Sequence, residues 1–150
     1  MEAAAGMITQ ARQWLGVPFH HQGRSTAGLD CLGLLMVVAD AIGLRFEGKR
    51  ASELDIPRYG ARPEVAVLIA RLEAHLQPVA VSAARPGDIV LLKVQGSPQH
   101  LAILSDYPVV GEMGMIHAYA PARAVVEHRY DEVWRRETYA VYRIYETPKN

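Results

Sequence analysis

The stretch Leu29-Asp30-Cys31-Leu32-Gly33-Leu34-Leu35-Met36-Val37-Val38-Ala39 decides the fold of this chain. Its apolar character predicts a helix from about Cys31 to Ile42 that is buried on nearly all sides. Asp30 is the expected N-cap, because a short side-chain oxygen can accept a hydrogen bond from an unpaired helical N–H. Gly43 is the expected C-cap. The only cysteine of the chain therefore stands at the start of the central helix.

Further helices and a group of strands surround this segment. Apolar residues at helical spacing predict a first helix over residues 2–15, and a third helix that begins at Pro63 and ends before Pro78. Short apolar stretches bounded by turn residues then predict strands at residues 89–92, 100–105, 113–119, 124–129 and 139–145, with a short helical segment at 131–136. Helices first and strands later indicate an α+β fold, with helices packed on a mostly antiparallel sheet of about five strands.

Length and charge restrict the class of protein. The 150 residues are expected to form one domain, 1–150, because a chain of this length buries about 68–70% of its unfolded surface. Sixteen basic and sixteen acidic residues give zero net charge, which argues against broad binding to nucleic acid or acidic membranes. The longest apolar run, residues 32–39, is far shorter than the roughly 18 residues of a membrane span. Glu2 stands where a secretory signal would be basic, so no such signal is expected.

A cysteine at a helix start is a candidate nucleophile. The thiolate is the reactive form, and the N–H groups and dipole of a helix N-terminus are expected to lower the thiol pKa below its ordinary value of about 8.5. The same N–H groups could donate hydrogen bonds to the oxyanion of an acyl transfer. The neighbours Gly28 and Gly33 would let backbone or substrate approach Cys31 closely. The alternative is that Cys31 is an inert residue buried among leucines.

Cysteine catalysis also needs a base and a group that orients the base. His100 and His117 are the candidates, because a hairpin that pairs Leu104 with Met113 also pairs His100 with His117 on one face of the sheet. One imidazole can then hold the tautomer of the other through a hydrogen bond. The alternative for both histidines is a structural role.

The remaining histidines offer other interpretations. His75 and His128 stand beside polar or charged residues and are predicted to face solvent. A zinc site formed by His20, His100 and His117 is an alternative to catalysis. For the segment around His20 we favour a loop that lines a cleft.

Several segments together resemble the NlpC-type bacterial cell-wall cysteine peptidases. In chain order they are Ala11-Arg12-Gln13-Trp14-Leu15-Gly16-Val17-Pro18-Phe19, Leu29-Asp30-Cys31-Leu32-Gly33-Leu34, Pro86-Gly87-Asp88-Ile89-Val90, His100-Leu101-Ala102-Ile103-Leu104 and Met115-Ile116-His117-Ala118. The His-Gln pair at 21–22 and the Asp-Cys-Leu-Gly form at 30–33 most resemble the branch found in tailed-phage and gene-transfer-agent tails. Segments in this order are fairly specific, although each alone is weak.

The resemblance implies a papain-like α+β fold that hydrolyses peptide bonds in peptidoglycan stem peptides, commonly at γ-D-glutamyl linkages. Carried onto this chain, it makes Cys31 the nucleophile, His100 the general base and His117 the residue that orients His100. It implies no metal and no cofactor.

Two departures from the family pattern bear on substrate preference. Phe19 stands where the family commonly has Tyr, and Leu32 stands where many members have Ser, so a hydroxyl beside the site is missing at each position. Phe19, His21, Arg24 and Asp30 are the candidate substrate-binding residues. Arg24 is included because its guanidinium could pair with a substrate carboxylate.

The resemblance also implies partners and a place of action. The expected partners are peptidoglycan stem peptides and phage tail proteins, with no nucleic acid and no membrane span. We expect a chain that is made in the cytoplasm without a Sec signal, assembled into a phage tail, and active in the periplasm. Two other functions remain open: a non-catalytic tail or envelope binding module of the same fold, and a thiol acyltransferase or deacylase.

Overall fold

A computed structural model describes residues 2–54, 64–107 and 111–145. The helices are α1 (Glu2–Gln13), α2 (Cys31–Ala41), α3 (Val65–His75) and α4 (Glu132–Arg136). Short strands are β1 (Arg24–Ser25), β2 (Gly28–Leu29), β3 (Arg45–Phe46), β4 (Lys49–Arg50) and β5 (Gln77–Val79). Longer strands are β6 (Ile89–Val94), β7 (Ser97–Ser105), β8 (Gly114–Tyr119), β9 (Ala124–Arg129) and β10 (Thr138–Arg143). Three 3₁₀ turns cover Ala51–Leu54, Val81–Ala83 and Ala120–Ala122.

The helices agree with the sequence prediction to within two residues at their described ends. α2 begins at Cys31, and Asp30 caps it by accepting a hydrogen bond from the Gly33 N–H at 2.8 Å. The helix ends one residue earlier than predicted, with Ile42 at the C-cap. Gly43 then adopts a positive φ of 75°, which a residue without Cβ tolerates. The predicted start of α3 at Pro63 lies outside the described residues.

The main sheet has six strands in the order β5-β10-β6-β7-β8-β9, and every neighbouring pair is antiparallel. The prediction of about five strands is therefore one short. The strand that it missed, β5, has only three residues and contains Pro78, so it carries neither the length nor the alternation of a strand signal. The pairs β1–β2 and β3–β4 form two further small sheets of two strands each.

The predicted pairing of β7 with β8 is wrong by two residues. Leu104 lies opposite Met115 rather than Met113, and Ser105 lies opposite Gly114. A Cβ at position 114 would lie 2.7 Å from Ser105 Oγ, so the close approach of the strands there requires the glycine. Because side chains alternate with a period of two, the shift leaves His100 and His117 on the same face.

Each face of the sheet has its own apolar cluster. Helices α1, α2 and α3 pack on one face, where Met7, Leu35 and Leu68 join buried sheet residues such as Leu91 and Ile103. The second cluster, with Trp134 of α4 packed on it, consists of Val90, Leu92, Ala102, Leu104, Met115, Tyr130 and Val141. The alternation along β7 and β8 places His100 and His117 on this second face.

The loop between α1 and β1 runs along the outer strand β9. The Val125 N–H donates to the Val17 carbonyl at 2.9 Å, and the Val125 carbonyl accepts from the Gly16 N–H at 3.0 Å. The Phe19 N–H donates to the Arg123 carbonyl at 2.9 Å. These bonds fix the loop to the sheet. No helix among the described residues has the length and apolarity to span a membrane.

Candidate active site

Asp30 joins the loop to the start of α2. It is 5% exposed. Its Oδ1 accepts from the Gly33 N–H at 2.8 Å and from Arg24 Nη1 at 2.9 Å, and its Oδ2 accepts from the Gln22 N–H at 2.9 Å. Burial of a carboxylate is tolerated when it is paired and hydrogen-bonded in this way. The side chain therefore fixes the position at which Cys31 begins the helix.

Glycines allow the loop and the helix to pack closely. A Cβ at Gly33 would lie 2.1 Å from the Gly23 carbonyl oxygen, and one at Gly28 would lie 2.3 Å from the Cβ of His20. The close approach that we expected at these two residues is therefore made by the protein's own loop, which presses against the start of α2.

Cys31 and His100 open into the same cleft, of about 530 Å³. Cys31 is contributed by α2 and His100 by β7. The other lining residues are Phe19, His21, Asp30, Lys93, Val94, Gln99, Ala118, Tyr119, Ala120, Pro121, Val133, Trp134 and Glu137. The Cys31 thiol donates to the carbonyl oxygen of Gln99, which precedes His100 in β7, over 4.0 Å.

The Cys31 thiol differs from the expectation of an acidic cysteine. Burial raises its pKa to about 11, and the charge of Asp30 acts in the same direction. Hydrogen bonds from the backbone of Leu101 and Leu32 favour the thiolate but are outweighed. The expected net lowering of the thiol pKa is therefore wrong. The Leu32 N–H at the helix start does lower the pKa as predicted, but the desolvation of the sulfur raises it by more.

His100 and His117 are hydrogen-bonded to each other. His100 Nε2 lies 2.6 Å from His117 Nδ1, and the two rings meet edge to face with centroids 4.9 Å apart. His117 is fully buried. Burial lowers the pKa of His100 to about 4 and, together with the charges of His100 and His128, that of His117 to about 2. Both rings are therefore neutral at pH 7, and His100 can accept a proton.

A third histidine, His128, extends this pair. His117 Nε2 lies 2.8 Å from His128 Nε2, and His128 Nδ1 lies 3.0 Å from the Arg129 carbonyl oxygen. The prediction that His128 faces solvent is wrong, because its ring bonds to the buried His117. In the β8–β9 register His128 lies opposite Met115. Met115 is two residues before His117 in β8, so all three side chains point to the same face of the sheet. The sequence signal for His128 is therefore its parity in β9, which matches that of His117 in β8.

Two aromatic residues enclose the three imidazoles. The Tyr119 ring stacks on His117, with centroids 4.8 Å apart and planes 24° apart. The Trp134 ring meets His117 edge to face at 5.2 Å and lies 5.4 Å from His128. This packing restricts rotation of the central ring and keeps water away from it, which strengthens its hydrogen bonds.

The four candidate substrate-binding residues are placed differently. Phe19, His21 and Asp30 line the cleft, although Asp30 already accepts hydrogen bonds from three protein groups. Arg24 is not part of the lining, and its guanidinium pairs with Asp30 and with the Gly23 carbonyl. The described residues contain no group of three or more His, Cys, Asp or Glu that could hold a metal ion, so His20 does not join His100 and His117 in a zinc site.

The NlpC/P60 family profile matches residues 16–143. The chain belongs to the NlpC/P60 family. Among curated proteins, no sequence matches it significantly. The matched residues include Cys31, His100 and His117. They also include every segment quoted above for the resemblance, except the part of the first segment that precedes Gly16.

Solved structures confirm the papain-like α+β fold of this NlpC/P60 chain. The NlpC/P60 domain of the peptidoglycan hydrolase SagA is 21% identical, with a TM-score of 0.63, over 94% of this chain and 98% of that domain. The peptidoglycan hydrolase RipB of Mycobacterium tuberculosis is 22% identical, with a TM-score of 0.62, over 97% of this chain and 66% of that one. An NlpC/P60 protein of Bacillus cereus is 20% identical, with a TM-score of 0.65, over 96% and 40%.

The two departures from the NlpC/P60 pattern have different surroundings. Phe19 lines the cleft, so the missing hydroxyl changes the cleft wall. Leu32 is 3% exposed and lines an apolar cavity on the core side of α2 with Leu35 and Leu68. The side chain at position 32 therefore lies in the core and not in the cleft. The missing serine hydroxyl at this position therefore does not remove a contact to substrate, as we had expected it to.

Proposed function

We propose that this chain is a cysteine peptidase that hydrolyses peptide bonds in peptidoglycan stem peptides. The observation that carries the proposal is a cleft that holds both Cys31 and His100, with His100 bonded to the buried His117. Nucleophile, base and orienting group are the three parts that cysteine hydrolysis needs. Membership of the NlpC/P60 family supports the reaction class, and the two similar folds of peptidoglycan hydrolases support the substrate class.

The mechanism follows from the protonation states. The thiol is protonated and the imidazole neutral at rest, so His100 acts as a general base while the sulfur attacks the carbonyl carbon. The C=O π electrons move to oxygen, and the Cys31 backbone N–H, which has no hydrogen-bond partner among the described residues, donates to that oxyanion. His100 returns the proton to the leaving amine, and the C–N bond breaks. Water then hydrolyses the acyl-enzyme.

The finer parts of the proposal are the bond and the delivery. We propose cleavage at γ-D-glutamyl linkages, and assembly of the chain into a phage tail that carries it from the cytoplasm to the periplasm. The likeness of residues 21–22 and 30–33 to tail-associated members supports delivery by a tail. Mass spectrometry of purified tail particles tests this part, and particles that lack the chain would contradict it.

The central test is digestion of purified peptidoglycan by wild type and by Cys31→Ala, with the fragments identified by mass spectrometry. Wild type is expected to release fragments whose new amino terminus follows D-glutamate, and Cys31→Ala to reduce their release by at least about 10³-fold. His20→Gln is the matched control, because His20 is not hydrogen-bonded to His100, His117 or His128. Equal release by wild type and Cys31→Ala would refute the proposal.

A non-catalytic binding module is the second candidate, and it is favoured by the position of the Cys31 sulfur against β7, where burial raises the thiol pKa. A thiol that stays protonated at pH 7 is a weak nucleophile until a base removes its proton. Sedimentation with insoluble peptidoglycan separates the candidates. Equal binding by wild type and Cys31→Ala, with no fragments from either, would support the binding module.

A further inference from the structure

We propose that His128 is a positioning residue of this site, which fixes the tautomers of His117 and His100 and carries the positive charge once His100 accepts the Cys31 proton. The inference rests on the proposed function for its kinetic consequences, whereas its structural consequences can be measured without turnover. The observation behind it is a continuous path of three hydrogen bonds, from the cleft to the Arg129 carbonyl.

The Arg129 carbonyl sets the direction of the path. A carbonyl oxygen can only accept, so His128 Nδ1 must carry a proton toward it. Neutral His128 then accepts at Nε2, and His117 donates from Nε2 and accepts at Nδ1. His100 therefore donates from Nε2. Its Nδ1, which has no hydrogen-bond partner among the described residues, is left without a proton and is the atom able to act as base.

The same path moves charge out of the buried pair. When Nδ1 of His100 takes the Cys31 proton, the Nε2 proton of His100 can pass to His117 Nδ1, and the Nε2 proton of His117 to His128 Nε2. His100 and His117 each gain one proton and give one up. His128 gains a proton and gives none up, so both of its ring nitrogens then carry a hydrogen. One thiol proton has entered, and one positive charge has appeared at His128.

Burial favours this final location. His117 is fully buried and His100 is largely buried at the cleft wall, and burial lowers the pKa of His117 to about 2 and that of His100 to about 4. His128 lies in the outer strand β9 and is only partly buried, so water can solvate its charge. A positive charge is therefore less costly on His128 than on either of the inner rings.

The surroundings contain few competing charges. The imidazole ring of His117 contacts those of His100 and His128, and the three imidazoles also contact the aromatic rings of Tyr119 and Trp134. Within the described ranges, no carboxylate, lysine or arginine side chain bonds to any of them. Asp30, Lys93 and Glu137 line the cleft with His100, and Glu127 and Arg129 flank His128 along β9. The histidine path is therefore the main route by which the site can redistribute a proton.

Two variants separate the two roles of His128. In His128→Gln the amide oxygen can still accept from His117 Nε2, so the tautomers are kept, but the amide cannot take a proton. In His128→Phe the ring can pack on Trp134, but no acceptor remains. We expect kcat/KM on peptidoglycan fragments to fall about 10-fold in His128→Gln and about 10²-fold in His128→Phe. In His128→Gln the acid limb of the pH profile should move to lower pH, because the two rings that remain, His100 and His117, are the more buried ones.

The closing experiment is ¹⁵N NMR of the histidine side chains in wild type and both variants, between pH 8 and pH 4. We expect Nε2–H tautomers for His100 and His117 at pH 8, kept in His128→Gln and lost in His128→Phe. On acidification of wild type the first proton should appear on His128 Nε2, with both inner rings switching to Nδ1–H. An Nδ1–H tautomer of His100 at pH 8, or first protonation at His100, would overturn the proposal. Folded spectra with these tautomers but no turnover would instead contradict only the proposed function.

Discussion

Arg24 Nη1 and Asp30 Oδ1 form an ion pair of 2.9 Å, in which the carboxylate at the start of α2 is held by the loop that precedes it. The same oxygen caps the helix by accepting from the Gly33 N–H. One carboxylate thus connects two structural roles, capping and loop anchoring, immediately beside Cys31. A residue that we considered for substrate binding is therefore already engaged by the protein.

Replacement of Asp30 should cost more stability than loss of an ordinary helix cap. We expect Asp30→Ala to lower the free energy of unfolding by about 2–4 kcal/mol, because a buried cap and a charge-assisted bond are lost together. Asp30→Asn keeps an acceptor for Gly33 and should cost less. Asp131→Ala is the matched control, because Asp131 caps the exposed helix α4 and should cost about 1 kcal/mol. Urea denaturation measures all three, and equal losses at positions 30 and 131 would contradict the anchoring role.

The reactivity of Cys31 should depend on pH in an unusual way. Burial raises the thiol pKa to about 11, so alkylation by iodoacetamide should be slow at pH 7 and should rise steeply above pH 9. The same cysteine in urea should follow the ordinary curve near pH 8.5. Rates are measured by mass spectrometry of the intact protein. A midpoint below pH 8.5 in the folded protein would show that His100 holds a thiolate at rest.

Acid should destabilise the fold through the buried histidines. The unfolded chain binds protons at His100 and His117 as the pH falls through about 6.5, whereas burial holds their folded pKa values near 4 and 2. The stabilisation is therefore complete above pH 6.5 and is lost as the pH falls toward 4, by about 3 kcal/mol for His100 alone. Urea denaturation between pH 7 and pH 4 measures the slope. His100→Phe should flatten it, and an unchanged slope in that variant would argue against a buried, neutral His100.

Leu32 offers a test of which side of α2 faces substrate. Leu32→Ser places a hydroxyl in an apolar core, so we expect a loss of about 3 kcal/mol in stability with no change in KM. Leu32→Val, which keeps an apolar side chain, should cost about 1 kcal/mol. Phe19→Tyr is the comparison on the cleft side, and should change KM with little change in stability. A lower KM in Leu32→Ser would mean that position 32 reaches the substrate.

The helices, the Asp30 N-cap of α2 and the identity of the facing histidines could be predicted because each depends on local spacing. Asp30 precedes an apolar run, and His100 and His117 share a parity that survives a register error of two residues. The register itself depends on Gly114, where the two strands come too close for a side chain. That constraint involves residues of both strands at once, so the spacing within either strand does not contain it.

Burial explains the other differences between sequence and structure. The direction of the Cys31 pKa depends on how much water reaches the sulfur, and that is set by β7, far along the chain. His128 was assigned to solvent because Glu127 and Arg129 flank it. Along a strand, however, flanking side chains point to the opposite face and say little about the surroundings of the residue between them.

The two outer strands of the sheet are both protected from pairing with another molecule. A strand with free N–H and C=O groups can pair with another molecule. β9 is covered by the loop through Gly16, Val17 and Phe19, and β5 is three residues long with a proline at its centre. The loop that forms one wall of the cleft thus also closes the sheet against extension by a neighbour. Opening that loop would expose a strand able to recruit a second chain, so changes that loosen the cleft wall should also promote self-association.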